Sequence, residues 1–339
     1  MTMTLPRTLW VVCPVYFDVP AFLILRQASR EVLAAATLAV PSRLRFVVID
    51  DTAGQDREVD ALRGCDDVVI VHTPFNLGHQ HALVFGLRSL AAQMDEADWV
   101  ATLDADGEDR PDDLPRLLAP LSTPAAQGHI VLARRTKRKE SLWFKVLYWQ
   151  FRVLFRTLTG TVIRSGNYAA FRGRHVHRLL FHPAFDLSYA SAFLSLKVPV
   201  EFVPCERGTR YTGESKMGGA RLIEHGVGML MPFIDRIAVR ALIGFGFVFV
   251  VALAAGLTLM AMRWLEGMGV PAWTTPALFL MGLVSFSALS TFLTLFTIFA
   301  QSGALSRRGL DRTIWLDHGV TTASSRADRP SRPTEPMGV

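Results

Sequence analysis

The stretch "ADWVATLDADGEDRPDDLPRLL", residues 97–118, decides how the first half of this chain reads. An apolar run, "WVATL", ends abruptly in acids. Asp104, Asp106, Glu108 and Asp109 fall within six positions, and Pro111 follows. Like charge this dense costs stability unless a cation or a ligand offsets it. Working outward, "LWVVCPVY" (9–16), "LRFVVID" (44–50) and "DDVVIVH" (66–72) are further short apolar runs. They alternate with helical patterns at 20–38, 56–64 and 76–94. The order βαβαβαβ predicts a parallel sheet covered on both faces, a doubly wound α/β fold. In such sheets ligands bind at the carboxyl ends of the strands. The polar residues gather there: Pro14 to Asp18 after the first run, Asp50 and Asp51 after the second, Asp104 and Asp106 after the fourth. No Gly-x-Gly-x-x-Gly follows the first strand, which argues against a nicotinamide cofactor.

The composition changes along the chain. Of 339 residues, 50% are hydrophobic, too many for an ordinary soluble enzyme and too few for a polytopic transporter. Residues 1–235 mix charged and apolar side chains as a globular domain does. Residues 241–262 hold no charge over 22 positions, and residues 276–300 hold none over 25. A bilayer core needs about 20 apolar residues. The connector 263–275 is short, so 236–301 is expected to be a two-helix transmembrane hairpin. Arg236 and Arg240 flank it on one side, Arg307, Arg308 and Arg312 on the other. Excess positive charge stays in the cytoplasm, which places both ends and the N-terminal domain there. The expected location is the cell inner membrane, multi-pass. Residues 302–339 read as a basic, disordered cytoplasmic tail. The first apolar run is interrupted by Pro14 and carries no signal-peptide cleavage pattern. Cys13, Cys65 and Cys205 show no metal spacing and fit a reducing compartment. The net charge of +6 sits largely near the apolar spans and the tail, favouring an anionic membrane surface over nucleic acid.

Residues 140–160, "ESLWFKVLYWQFRVLFRTLTG", are dense in aromatics with Lys145, Arg152 and Arg156 interspersed. An amphipathic helix lying in a membrane interface has this composition; a core helix is the alternative. Residues 218–237 are a second interfacial candidate.

Asp104 and Asp106 suit Mg²⁺ or Mn²⁺, hard cations that take oxygen ligands and bind phosphate as well. The competing role is a set of acids at a helix N-terminus, since Asp112 and Asp113 begin the next helix. Asp50 and Asp51 fit either a base or ribose contact or a turn cap. Cations lie downstream: "ARRTKRKES" carries Arg134, Arg135, Lys137, Arg138 and Lys139, and "ERGTRYTGESKMGG" carries Arg207, Arg210 and Lys216. Such clusters bind phosphate through charge-assisted hydrogen bonds. Tyr211 is the single aromatic in the second cluster, too little for a base-stacking nucleic-acid surface. His79 and His81, two apart on a helix, point away from each other and do not make a zinc pair.

Taken in order, "VVCPVYFD", "FVVIDDTAGQD", "NLGHQHALVFGL", "ATLDADGEDRPDDLP", "RRTKRKES", "RGTRYTGESK" and the two spans resemble the membrane-anchored family-2 glycosyltransferases. The likeness is to the polyprenyl-phosphate type, typified by dolichol-phosphate mannose synthase. It covers about residues 8–300 and rests on six motifs plus the hairpin. It implies a GT-A (Rossmann-like) nucleotide-sugar domain at 1–235. It implies that Pro14, Tyr16, Asp18 and Asp50 line the nucleoside pocket, with Asp51 a further substrate-binding candidate beside Asp50. Asp104, Asp106 and Glu108 would hold the divalent metal, and Arg135 and Arg138 would lie near the phosphates. Arg207, Arg210, Ser215 and Lys216 would form the acceptor-phosphate and diphosphate loop, with Asp106, Arg210 and Lys216 the catalytic residues. Phe17, Asp18, Asn167 and Ala169 depart from the usual pattern.

The activity so implied is inverting transfer of a sugar from a UDP- or GDP-linked donor to a polyprenyl phosphate, in a chain that can form a homo-oligomer. Two alternatives stand beside it. One is a hydroxyl acceptor on another membrane lipid or lipid-linked saccharide, with Asp186 as base. The other is a catalytically silent nucleotide-sugar-binding scaffold.

Overall fold

In the computed structural model the described residues are 8–38, 40–123, 128–136, 142–162, 165–212, 226–265, 272–309 and 320–322. The chain divides into two compact units. The first comprises residues 1–140, 164–229 and 311–339; the second, 141–163 and 230–310.

The first unit is built on one sheet of β1 (Thr8–Val15), β2 (Arg43–Asp50), β3 (Val68–His72), β4 (Trp99–Thr102), β5 (Ile130–Arg135), β6 (Ser165–Arg172), β7 (Val200–Cys205) and β8 (Val320–Thr322). The order across it is β7-β5-β6-β4-β1-β2-β3-β8. Strands β1 to β4 are mutually parallel, as their sequence order predicts. The sheet as a whole is mixed, however. β6 runs antiparallel between β4 and β5, and β8 runs antiparallel on β3. Neither pairing has a local sequence signal, because each joins strands far apart in the chain.

Both faces of β1 are buried, in strict alternation. Leu9, Val11, Cys13 and Val15 join a core with Phe22 and Leu25 of α1 (Val19–Ala35). Trp10 and Val12 join the opposite core with Leu83 and Leu87 of α2 (His79–Ser89). A strand buried on both faces reads as a continuous apolar run, which is why "LWVVCPV" lacks period-two polarity. Residues 57–64 form a 3-10 helix, not the α-helix their pattern suggests. Their buried residues, Val59 and Leu62, are three apart, the repeat that a three-residue turn superposes. Among the described residues this unit also holds the short α-helices α3 (Leu114–Leu118), α5 (Gly173–Arg178) and α6 (Tyr189–Ser195).

His175 of α5 lies buried with its ring edge-on to Phe171. Burial, with help from Arg174 and Arg178, lowers its pKa from 6.5 to about 4. A histidine held neutral in the fold and free to protonate when unfolded contributes its full stability above pH 6.5. That contribution is lost as pH falls from 6.5 toward 4, about 3 kcal/mol over the window. Melting curves from pH 7 to 4.5 should fall less steeply for His175→Gln than for the parent. Equal slopes would remove His175 from the acid response.

The second unit holds α4 (Leu142–Thr159), α7 (Ile234–Leu265) and α8 (Thr274–Gly309). Phe155 of α4 is buried and its ring meets Phe233 edge-on at 5.5 Å. Arg240 of α7 donates to the carbonyl of Thr157 at 2.7 Å, satisfying an orphan acceptor at the end of α4. Gly160, at φ +73°, ends that helix, and Arg236 reaches the Thr161 hydroxyl at 3.3 Å. Residues 226–262 and 274–294 are helices long and apolar enough to cross a membrane. Their large side chains are bare: Phe247 is 69% exposed and Phe279 74%. Exposed apolar surface on this scale needs a covering, and the two helices point to membrane association. Residues 218–225 of the second interfacial candidate, and 310–319 and 323–339 of the tail, lie outside the described residues.

Candidate active site

The strand order reverses at β1, with β2 and β3 on one side and β4 on the other. The crevice beyond the carboxyl ends of these strands is where an open α/β sheet places its ligands. Pro14, the penultimate residue of β1, is half-buried. Tyr16 and Phe17 follow, both more than 40% exposed, their rings edge-on at 4.9 Å. Phe17 sits at φ +50°, a conformation that costs a non-glycine residue about 1 kcal/mol or more and recurs at ligand sites. Asp18 accepts a hydrogen bond from the Thr212 hydroxyl at 2.7 Å.

At the end of β2 both carboxylates are committed to the protein. Asp50 accepts from Thr52 N at 3.0 Å and Gly54 N at 3.2 Å, and lies 2.8 Å from His72 Nδ1. Burial pushes its carboxyl up, but the His72 and Thr52 bonds outweigh that and hold it below its ordinary value. Asp51 accepts from Leu77 N at 2.7 Å and Gly78 N at 2.8 Å. Its burial outweighs those bonds and leaves it raised. These two acids therefore shape the turn after β2 and the loop after β3, the turn-cap role of the two the sequence allows.

The acids after β4 form the centre. Asp109, buried, accepts from Asp104 N at 3.1 Å and from Arg135 at 3.1 Å. Asn167 of β6 donates to Asp104 at 3.3 Å. Segment 206–212 lies antiparallel along 106–109. Gly208 N donates to Glu108 O at 2.9 Å, and Tyr211 N to Asp106 O at 2.8 Å. Two glycines permit this approach. A Cβ on Gly208 would stand 2.2 Å from the carbonyl oxygen of Gly107, and one on Gly107 would strike the Tyr211 ring. The pairing carries two arginines onto the acids. Arg207 bonds Glu108 at 2.5 Å, while Arg210 reaches Asp106 at 2.7 Å and Glu108 at 3.1 Å.

Glu108 is thereby satisfied. Burial raises its carboxyl, but Arg207 and Arg210 outweigh burial and hold it below its ordinary value. Asp104, Asp106 and Asp109 stay raised, first by burial and then, for Asp104 and Asp109, by each other or Asp106. Arg135, beside Asp104 and Asp109, and Arg210, beside Asp106, offset only part of that. Asp104 and Asp106 carry hard oxygen donors of the kind that suit Mg²⁺ or Mn²⁺. Glu108, expected with them as a metal ligand, faces arginines. Among the described residues no three His, Cys, Asp or Glu side chains converge as a ready-made metal cage. Two carboxylates alone would leave most of a metal's positions to other ligands.

Sequence reasoning passed over Asp109, Asn167 and Thr212 as site residues. Asp109 stood in the quoted stretch, but its role depends on Arg135, 26 residues on; Asn167 contacts Asp104 across 63. Lys216, Ser215 and Arg138 lie outside the described residues. Asp186, the candidate base, is bonded to Arg88, which also donates to Leu180 O.

Residues 11–180, half of the chain, match the profile of glycosyl transferase family 2. The chain belongs to that family. It is a glycosyltransferase with a GT-A-like fold. Over 298 residues it is 26% identical to the undecaprenyl-phosphate 4-deoxy-4-formamido-L-arabinose transferase of Edwardsiella ictaluri (strain 93-146), covering 81% of this chain and 82% of that one. Among solved structures it is similar to a mannosyltransferase from Pyrobaculum calidifontis in complex with GDP-Man and Mn²⁺ (TM-score 0.44, 19% identity, 91% of this chain and 88% of that one). It is also similar to glucosyl-3-phosphoglycerate synthase from Mycobacterium tuberculosis with Mn²⁺, UDP and glucosyl-3-phosphoglycerate (TM-score 0.41, 19% identity, 68% and 80%).

Proposed function

We propose that this glycosyltransferase moves a sugar from a nucleoside diphosphate donor to a polyprenyl phosphate at the cytoplasmic face of a membrane. The observation that carries the reading is the antiparallel seating of 206–212 on 106–109. It brings the cations that suit phosphate, Arg207 and Arg210, against the carboxylates that suit a divalent metal. The Edwardsiella relative, named for an undecaprenyl-phosphate acceptor and similar over four-fifths of both chains, supports the same acceptor class.

The residues divide the work as follows. Tyr16, Phe17 and Pro14 line the nucleoside end of the crevice, whose wall Asp50 and Asp51 hold in shape. Asp104 and Asp106 hold Mg²⁺ or Mn²⁺, which when bound supplies positive charge to the departing diphosphate. Arg135 and Arg210 supply further charge there, and Lys216 and Ser215, with Arg207, receive the acceptor phosphate. A phosphate monoester has a second pKa of about 6 and is largely dianionic at neutral pH. It attacks the anomeric carbon, with inversion, without a strong base.

The hairpin keeps the chain where its lipid acceptor lies. Two consecutive spans joined by the short connector 263–275 leave both ends of the hairpin on one side of the membrane. The flanking arginines make that side cytoplasmic. α4, with Trp149 63% exposed and Arg152 and Arg156 on the same helix, suits the headgroup layer.

Purified full-length protein in detergent, given undecaprenyl phosphate, Mn²⁺ and a panel of UDP- and GDP-sugars, tests the reading. The expected product is one sugar on polyprenyl phosphate, labile to mild acid. If no donor yields it and a neutral hydroxyl-bearing lipid is glycosylated instead, the acceptor assignment is wrong.

A further inference from the structure

We propose that Arg210 is a built-in counter-cation at Asp106, and that metal and nucleoside diphosphate enter together by displacing it. The inference rests on the metal-diphosphate reading above and concerns how that site is loaded.

The geometry sets up a competition. Arg210 Nη2 lies 2.7 Å from Asp106 Oδ2, and its Nε lies 3.1 Å from Glu108 Oε1. One guanidinium thus bridges two carboxylates two residues apart. A Mg²⁺ or Mn²⁺ ion on that same Oδ2 would sit at about 2.1 Å from it, hence within roughly 4 to 5 Å of the guanidinium. Two cations that close, beside a largely enclosed pair of acids, repel strongly unless an anion joins them. The backbone does not have to move for Arg210 to leave. Tyr211 N holds to Asp106 O, Gly208 N to Glu108 O and the Thr212 hydroxyl to Asp18. The main chain is fixed on both sides of residue 210, so only its side chain has to swing.

Charge decides what permits the swing. Asp104, Asp106, Glu108 and Asp109 carry four negative charges in their ionised forms. Arg135, Arg207 and Arg210 carry three positive ones. The resting cluster is therefore one negative charge from neutrality. A divalent cation alone turns it positive and leaves Arg210 without its anion. A nucleoside diphosphate arriving with the cation more than offsets that excess positive charge and offers Arg210 phosphate oxygens in exchange for Asp106. Each ligand then improves the site for the other, and the coupling is reciprocal. Arg207 differs, because it bonds Glu108 and can stay there throughout. Free metal is thereby kept from occupying the site unproductively.

Mn²⁺ binding to the full chain in detergent, followed by the electron paramagnetic resonance signal of free Mn²⁺, tests this against protein-free blanks with UDP or GDP. For the parent, Mn²⁺ alone should bind weakly and tighten at least about tenfold with the matching diphosphate, within the ordinary range of coupling between sites. In Arg210→Gln, Mn²⁺ alone should bind about five- to tenfold more tightly than in the parent, and the gain from diphosphate should shrink to about threefold or less. Arg210→Lys, which keeps the charge, should retain most of the coupling. Arg207→Gln should change Mn²⁺ affinity far less than Arg210→Gln does. Melting temperatures check that each variant is folded. Equal affinity for Mn²⁺ alone in the parent and in folded Arg210→Gln overturns the proposal, as does undiminished coupling in that variant. Failure of Mn²⁺ to bind with either diphosphate removes the metal reading along with it. Intact coupling without transfer to polyprenyl phosphate would leave the proposal standing and remove only the acceptor assignment.

Discussion

Asp106→Asn should lose turnover by a factor on the order of 10² or more while the protein stays folded. Removing one preorganised charge-stabilising group from an active site costs about that much. The loss should come without a penalty in stability. Burial, followed by the charges of Glu108 and Asp109, holds the Asp106 carboxyl above its ordinary value despite Arg210. A carboxyl raised in the fold stabilises the folded state only at acid pH and opposes it once pH exceeds its folded pKa. The neutral amide removes that opposition. In metal-free buffer at pH 7.5 the melting temperature of Asp106→Asn should therefore equal or exceed that of the parent. Added Mn²⁺ with a nucleoside diphosphate should raise the parent's melting temperature and leave the variant's nearly unchanged. Near-normal turnover in the variant would end the assignment of Asp106 to the metal.

The second large effect is structural and lies at the opposite end of the same strand. Asp98, buried just before β4, accepts from Thr8 N at 3.0 Å, Trp10 Nε1 at 3.0 Å and Asp95 N at 3.1 Å. It fastens the start of β4 to the start of β1. Asp98→Ala strands three donors, each costing about 1–3 kcal/mol when buried and unpaired. A total loss of roughly 3–5 kcal/mol is expected, which in a domain of this size lowers the melting temperature by about 10 °C. Because the two strands deliver Pro14 to Asp18 and Asp104 to Asp109 side by side, activity at low temperature should fall as well, though far less than in Asp106→Asn. A drop under about 2 °C would mean that water reaches these donors.

What could be seen in the sequence, and what could not, follows from how far each interaction reaches along the chain. The parallel strands β1 to β4 were visible because each is a local apolar run ending in polar residues. The acids at their carboxyl ends, and hence the site, came with them. The two membrane-length helices were visible because absence of charge over 22 and 25 residues is itself a local property. The antiparallel place of β6 was not, nor was the bond from Asn167 to Asp104, since both depend on pairing across some sixty residues. Asp50 and Asp51 could be located but not assigned. Whether a carboxylate after a strand caps a turn or waits for a ribose depends on backbone donors such as Leu77 N, fixed only by the fold. Glu108 shows the same ambiguity. In sequence it is a third acid in a row; in space Arg207 and Arg210, about a hundred residues away, decide its partner.

The closing strand β8 bears on how the protein is made. Its partner β3 ends at residue 72, and β8 begins at residue 320, beyond both apolar helices. A ribosome adding about 5–20 residues per second needs roughly 12–50 seconds to cover that interval. Throughout it, the β3 edge offers unpaired amides and carbonyls to any extended chain nearby, the ordinary starting point of aggregation. The sheet is completed only after the two helices have left the ribosome, so a translocation defect would strand an N-terminal domain with one sticky border. Truncation before residue 320 should reproduce that state in a purified protein.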